Sequence, residues 1–132
     1  MTPVVVDTDV ISFLFKNDSR AQGYLDLLRG HQLLISFMTE AELEQWVLLA
    51  RWGPARVQRF RAFMDRFATV PSSRDLILKW AEVMIAARLS GRRMEASDAW
   101  IAATALLHEA PLITHNPKDY LGVTGLRVVS LA

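Results

Sequence analysis

Two aspartates one residue apart, Asp7 and Asp9, directly follow the apolar run Val4-Val5-Val6. Further acids stand at Glu40, Glu42 and Glu44, at Asp98 and at Asp119, with Asn116 shortly before the last of these. Carboxylates brought together cannot all stay ionised unless a cation offsets their repulsion. Oxygen ligands in a chain with no cysteine and three histidines suit Mg²⁺ or Mn²⁺ rather than Zn²⁺. A cation so held acidifies a bound water and stabilises the charge developing on a phosphodiester. The same D-x-D start would also open a solvated turn, or a phosphoryl-transfer site with an aspartate nucleophile.

The elements that must position these groups are legible as alternating patterns. Short apolar runs at residues 3–6, 33–36, 112–114 and 127–131 read as strands. Between them lie helical patterns: one from about Val10, one over residues 22–29 ending at Gly30, and one through Arg51 with Leu43, Trp46, Val47 and Ala50 on its buried face. Gly53-Pro54 breaks that helix, and Pro54 fits the first position of the next. There Val57, Phe60, Met64 and Phe67 form a stripe, with Arg59 and Arg66 opposite. Ser72 or Ser73 can cap a further helix, with Ile77, Trp80, Met84 and Ala87 buried and Gly91 at its end. A last helix spans residues 98–109.

Continuous apolar strands separated by helices imply an α/β fold with a parallel sheet covered on both faces. Ligands of such sheets bind beyond the carboxyl ends of the strands. Asp7 follows the first strand, Glu42 lies on the helix after the second, and Asn116 and Asp119 come after the third. Asp98 opens the helix that feeds the third strand. Asp9 is expected to cap the first helix. Asp98 shares a stripe with Ile101, Ala102 and Ala105, so its carboxylate faces the buried side and needs a partner. Periodicity does not choose among Glu40, Glu42 and Glu44. Asp119 fits the end of a short turn after Pro117, and His108 and His115 stand alone.

Length and composition bound the rest. The 132 residues fit one domain, 1–132, and 52% hydrophobic with 22% charged residues describes a folded globule rather than a disordered chain. The absence of cysteine excludes disulfides and thiolate metal sites and fits a reducing compartment. No apolar run approaches the roughly 20 residues needed to span a bilayer. No basic, then apolar leader opens the sequence, so a cytoplasmic protein without membrane contact is expected. The net charge of +1 is unevenly spread: residues 51–93 hold ten bases against three acids. A basic middle beside acidic ends suits a polyanion grip next to a carboxylate site.

Two resemblances follow from these motifs. VVVDTDVI is similar to the D-x-D opening of haloacid-dehalogenase-like phosphatases, which implies Asp7 as nucleophile. That family also uses a paired acidic motif, and no G-D-x-x-x-D or D-D pair occurs here. The broader resemblance runs through four segments in order: VVVDTDVIS, LLISFMTEAELEQW, SDAWIAATALLHEAPLITHN and NPKDYLGVTGLRVV. Together they resemble PIN-domain ribonucleases, specifically the VapC-type toxins of toxin–antitoxin pairs.

This second resemblance implies a three-layer α/β/α fold with a short, mainly parallel central sheet. It implies a Mg²⁺- or Mn²⁺-dependent endoribonuclease acting on RNA. Matched by position, Asp7, Glu42 and Asp98 become the acidic metal ligands, Glu42 directly or through water. Asn116 or Asp119 completes the site, and Thr8, Asp9 and Thr114 support it. The family further implies a homodimer and a small antitoxin partner, for which Trp46 and Trp52 offer apolar surface. The phosphatase remains as an alternative, and so does a catalytically degenerate PIN-like binding module, because Asn116 is an uncharged amide.

Overall fold

A computed structural model describes residues 1–132. Five strands form one sheet: β1 (Pro3–Val6), β2 (Gln32–Ser36), β3 (Ala68–Val70), β4 (Leu112–Ile113) and β5 (Val128–Val129). Their order is β3-β2-β1-β4-β5, and every pairing is parallel. The helices are α1 (Thr8–Lys16), α2 (Ala21–Leu28), α3 (Phe37–Ala50), α4 (Pro54–Met64), α5 (Arg74–Leu89) and α6 (Ala96–Leu107). A 3₁₀ turn spans Pro117–Tyr120.

The alternation of side chains along β1 divides the core in two. Val4 and Val6 point to one face, where they meet Val10, Ile11 and Phe13 of α1, Tyr24 and Leu28 of α2, Leu43 and Val47 of α3, and Phe60 of α4. Val5 points to the other face and packs with Leu34, Leu112 and the α6 residues Ile101, Ala102 and Ala105. Helix α6 is buried continuously from Ile101 to Ala105, and α5 packs over it as the outer helix. Small alanines let α6 lie close to the sheet. The result is the three-layer α/β/α arrangement expected from the alternating pattern.

Several boundaries differ from the sequence expectation. Helix α1 starts at Thr8, not near Val10, and its N-cap is Asp7 rather than Asp9. Helix α4 ends at Met64, so Phe67 leaves the helix and leads into β3, a strand the sequence pattern did not announce. Helix α6 starts at Ala96 with Glu95 at its N-cap, so Asp98 lies inside the first turn instead of capping it. The last strand contracts to Val128–Val129. Ser73 caps α5 as expected, accepting from the Leu76 amide at 3.1 Å, and Gly91 follows its end at φ +71°.

Helix α5 is also rotated relative to the expectation. Leu76, Val83 and Ala87 are buried, whereas Ile77 is exposed and Trp80 and Met84 are half-buried. Nearly every side of α5 carries apolar residues, so periodicity fixes no phase. On α3, Ala50 is exposed although the stripe assigned it to the core. Trp46 and Trp52 are half-buried and packed together, their ring centroids 4.7 Å apart. The large apolar side chains that do reach the surface include Leu48 and Leu49 of α3, and Ile85 and Leu89 of α5.

Candidate functional site

The strand order reverses between β1 and β4, and at that point the carboxyl end of the sheet opens a crevice. Backbone pairing carries both strands one step beyond their ladders. The Asp7 amide donates to the Ile113 carbonyl at 2.9 Å, and the Thr114 amide to the Val129 carbonyl at 3.1 Å. Asp7 and Thr114 are thereby fixed side by side at the lip of the sheet.

A cleft of about 390 Å³ opens there, lined by Asp7, Asp9, Glu42, Asp98, Asn116 and Asp119, with Thr8, Ser12, Lys16 and Trp46 among the flanking groups. The five acids come from four separate places along the chain. This is the gathering expected from the sequence. Among the three glutamates left open by periodicity, Glu42 alone lines the cleft; Glu44 turns away to pair with Arg61.

Asp7 is 7% exposed and accepts three hydrogen bonds. Its Oδ1 accepts from the Thr8 amide at 2.8 Å. Its Oδ2 accepts from the Thr114 hydroxyl at 2.7 Å and from the Tyr120 hydroxyl at 3.0 Å. Burial nonetheless wins: helped by the charge of Asp9, it pushes the Asp7 carboxyl up to about 7, against the pull of these donors. Asp98, half-buried in the first turn of α6, is pushed up to about 6 by burial and by the charges of Asp119, Glu42 and Glu95. Both shifts record carboxylates that would gain from a nearby cation.

Glu42 is held by the Thr8 hydroxyl, which donates to Oε1 at 2.8 Å, and the buried Thr39 hydroxyl lies 3.2 Å from that of Thr8. Asp9 turns toward the loop after β4. Its Oδ1 accepts from the Val10 amide at 2.7 Å, and its Oδ2 from the His115 amide at 3.1 Å and the Asn116 side-chain amide at 2.8 Å. Burial raises its pKa, partly offset by these bonds. Thr114 also accepts from the Asn116 amide at 3.1 Å. Asn116 and Asp119 are both exposed at the cleft rim.

Tyr120, Thr39, Ser12 and Lys16 were not singled out from the sequence. Tyr120 had a signal, the aromatic residue beside Asp119 in the segment NPKDYLGVTGLRVV. The donor set is all oxygen and fits a hard divalent cation in chemistry. No group of three His, Cys, Asp or Glu side chains stands in ligand geometry for a metal ion. Direct protein ligands would therefore be few, with water and a substrate phosphate supplying the remainder.

Fold and cleft together define a doubly wound α/β protein with an acidic centre at the switch point of its sheet. The model of the PIN domain family matches residues 4–121. Ribonuclease VapC5 of Mycobacterium tuberculosis is 35% identical over 96% of this chain and 92% of its own. Ribonuclease VapC1 of Haemophilus influenzae is 30% identical over 93% of each chain. Among solved structures, VapBC-1 from nontypeable Haemophilus influenzae aligns with a TM-score of 0.83 at 27% identity, covering 98% of both chains. The chain belongs to the PIN-domain family, in its VapC group. Membership there, and the engagement of Asp9 with the loop after β4, leave the phosphatase alternative without support.

Proposed function

We propose that this chain is a metal-dependent endoribonuclease and the toxin of a toxin–antitoxin pair, with residues 1–132 acting as one PIN-like domain. The observation that carries the proposal is the meeting of Asp7, Glu42 and Asp98 in one cleft of a chain whose relatives are VapC ribonucleases.

Asp7, Asp98 and Glu42, the last directly or through water, would hold one Mg²⁺ or Mn²⁺, with Asn116 or Asp119 at the rim. When bound, such a cation acidifies water and offsets the charge of the phosphodiester. The protein's own part is positional. Thr114 and Tyr120 hold Asp7 oriented and favour its ionised form. Thr8 fixes Glu42, which then can orient the attacking water by accepting its hydrogen bond. Asp9 is a supporting group: it ties α1 to the loop that carries Asn116.

The partner reading rests on relatives solved as VapBC-1 and as a toxin–antitoxin complex. A small antitoxin and a second copy of the chain are the proposed protein partners. Exposed Leu48 and Leu49 on α3, and Ile85 and Leu89 on α5, supply apolar surface for them. No helix is long and apolar enough to cross a membrane.

The test is RNA cleavage with Mg²⁺ or Mn²⁺ by the wild type, Asp7→Ala and Asp98→Ala. Cleavage by the wild type alone is expected. Equal cleavage by all three would identify a contaminant and sink the assignment of the site.

A further inference from the structure

The acidic cleft has one cation on its wall, and that cation is unpaired. Lys16, in the last turn of α1, lines the cleft with five carboxylates yet forms no salt bridge with any of them. Its ammonium lies over the Trp46 ring instead, 5.2 Å from the centroid. Trp46 meets Trp52 edge to face at 4.7 Å. The guanidinium of Arg56 lies over Trp52 at 4.5 Å. Arg56 also forms no salt bridge, and its buried Nε has no hydrogen-bond partner.

Four bases of the chain's basic middle are already committed. Arg61 pairs with Glu44, Lys79 with Glu82 and Arg93 with Glu95, while Arg92 donates to the Gly122 carbonyl at 2.8 Å. Arg51, Arg59, Arg66, Arg74 and Arg88 also form no salt bridge; Lys16 and Arg56 differ in being mounted on the Trp46–Trp52 pair, which runs outward from the cleft. An aromatic face holds a cation in place without neutralising it, so the donors stay available. A polyanion entering a cleft of five carboxylates is repelled, and cations at the rim offset that repulsion.

We propose that Lys16 and Arg56, carried on Trp46 and Trp52, form a track that binds phosphates of a single RNA strand as it leaves the cleft over α1, α3 and α4. The inference rests on the proposed ribonuclease function for its ligand. Phosphate contacts of this kind position a strand without reading its bases. Lys16 and Arg56 are positioning residues and take no part in the chemistry.

The test measures binding of a short fluorescein-labelled single-stranded RNA of mixed sequence. It uses the full chain with Mg²⁺ in an Asp98→Asn background, which should prevent cleavage. Lys16→Ala and Arg56→Ala should each weaken binding by about 3- to 10-fold and lower the log–log salt slope by about 0.7. Lys16→Arg and Arg56→Lys should restore the slope. Arg127→Ala is the control, since Arg127 precedes β5 at the opposite edge of the sheet. Unchanged affinity and slope in both alanine variants, losses no larger than that of Arg127→Ala, or no RNA binding at all would overturn the track. A protein partner would then be the better occupant. The two proposals fail separately. Track-dependent binding by a wild type that cleaves no RNA keeps the track and rejects the nuclease. Cleavage with an unaltered KM in both alanine variants does the reverse.

Discussion

Tyr120 donates its hydroxyl hydrogen to Asp7 Oδ2 at 3.0 Å, across 113 residues of sequence. This bond stabilises the ionised form of a carboxylate that burial pushes toward neutrality. Tyr120→Phe removes the donor and leaves the ring. The Asp7 carboxyl should then rise further, and the acid limb of RNA cleavage should move to higher pH. A hydrogen bond to a charged group contributes about 1.5–3 kcal/mol, so the variant should lose roughly tenfold or more in kcat/KM near pH 7. A pH–rate profile that overlays the wild type would show that Tyr120 only fills space.

The same carboxylates make the metal-free protein sensitive to pH. In the unfolded chain Asp7 and Asp98 release their protons near their ordinary value of 3.8; in the folded chain they keep them to about 7 and about 6. Between those limits the folded state binds more protons than the unfolded state, so stability falls as pH rises. The loss begins near pH 4 and is complete above about pH 7. Asp7→Asn should flatten much of this fall and stabilise the metal-free protein at pH 7.5 by on the order of 2 kcal/mol, while abolishing cleavage. Thermal unfolding in EDTA from pH 4.5 to 8 checks it. Equal pH dependence in variant and wild type would refute the burial of a charge at Asp7.

What the sequence made legible follows from the range of each interaction. Val4–Val6, Leu34-Ile35 and Leu112-Ile113 are apolar runs with helices between them, and that pattern alone specifies a covered parallel sheet. β3 escaped because Phe67 continues the helical stripe of α4 and only three strand residues follow. The buried side of α5 escaped because Leu76, Ile77, Leu78, Trp80, Val83 and Met84 surround the helix with apolar groups. Asp7 and Asp98 stood out through their positions at element ends. Glu42 required a family resemblance, because the bond that selects it joins Thr8 to a helix 34 residues later. Asp9 was misassigned as a cap because its real partners, His115 and Asn116, lie more than 100 residues away.

Thr8 offers a test of Glu42 that leaves both acids in place. Its hydroxyl is the hydrogen-bond donor that holds Glu42 Oε1, at 2.8 Å. Thr8→Val keeps the shape of the side chain and removes that donor. Cleavage should fall about tenfold, as expected for a misoriented catalytic group. The melting temperature should change little, because Thr8 is only half-buried. Thr8→Ser should retain most activity. Full activity in Thr8→Val would mean that Glu42 needs no fixed orientation, or has no role.

Asp9 and Asn116 should behave as one unit. The Asn116 amide donates to Asp9 Oδ2 at 2.8 Å, and the same oxygen accepts from the His115 amide. Asp9→Ala therefore removes two of the bonds that hold the loop carrying Asn116, and Asn116→Ala removes one of the two. If Asn116 serves through Asp9, the double variant should lose little more activity than Asp9→Ala alone, with a coupling energy of about 1–2 kcal/mol. If Asn116 instead ligates the metal independently, the penalties should add, and Asn116→Ala alone should raise the Mn²⁺ concentration needed for half-maximal cleavage. The exposed position of Asn116, its amide nitrogen already engaged, favours the coupled outcome. Only its Oδ1 is left to face a metal, and a neutral oxygen at an open rim competes poorly there with water.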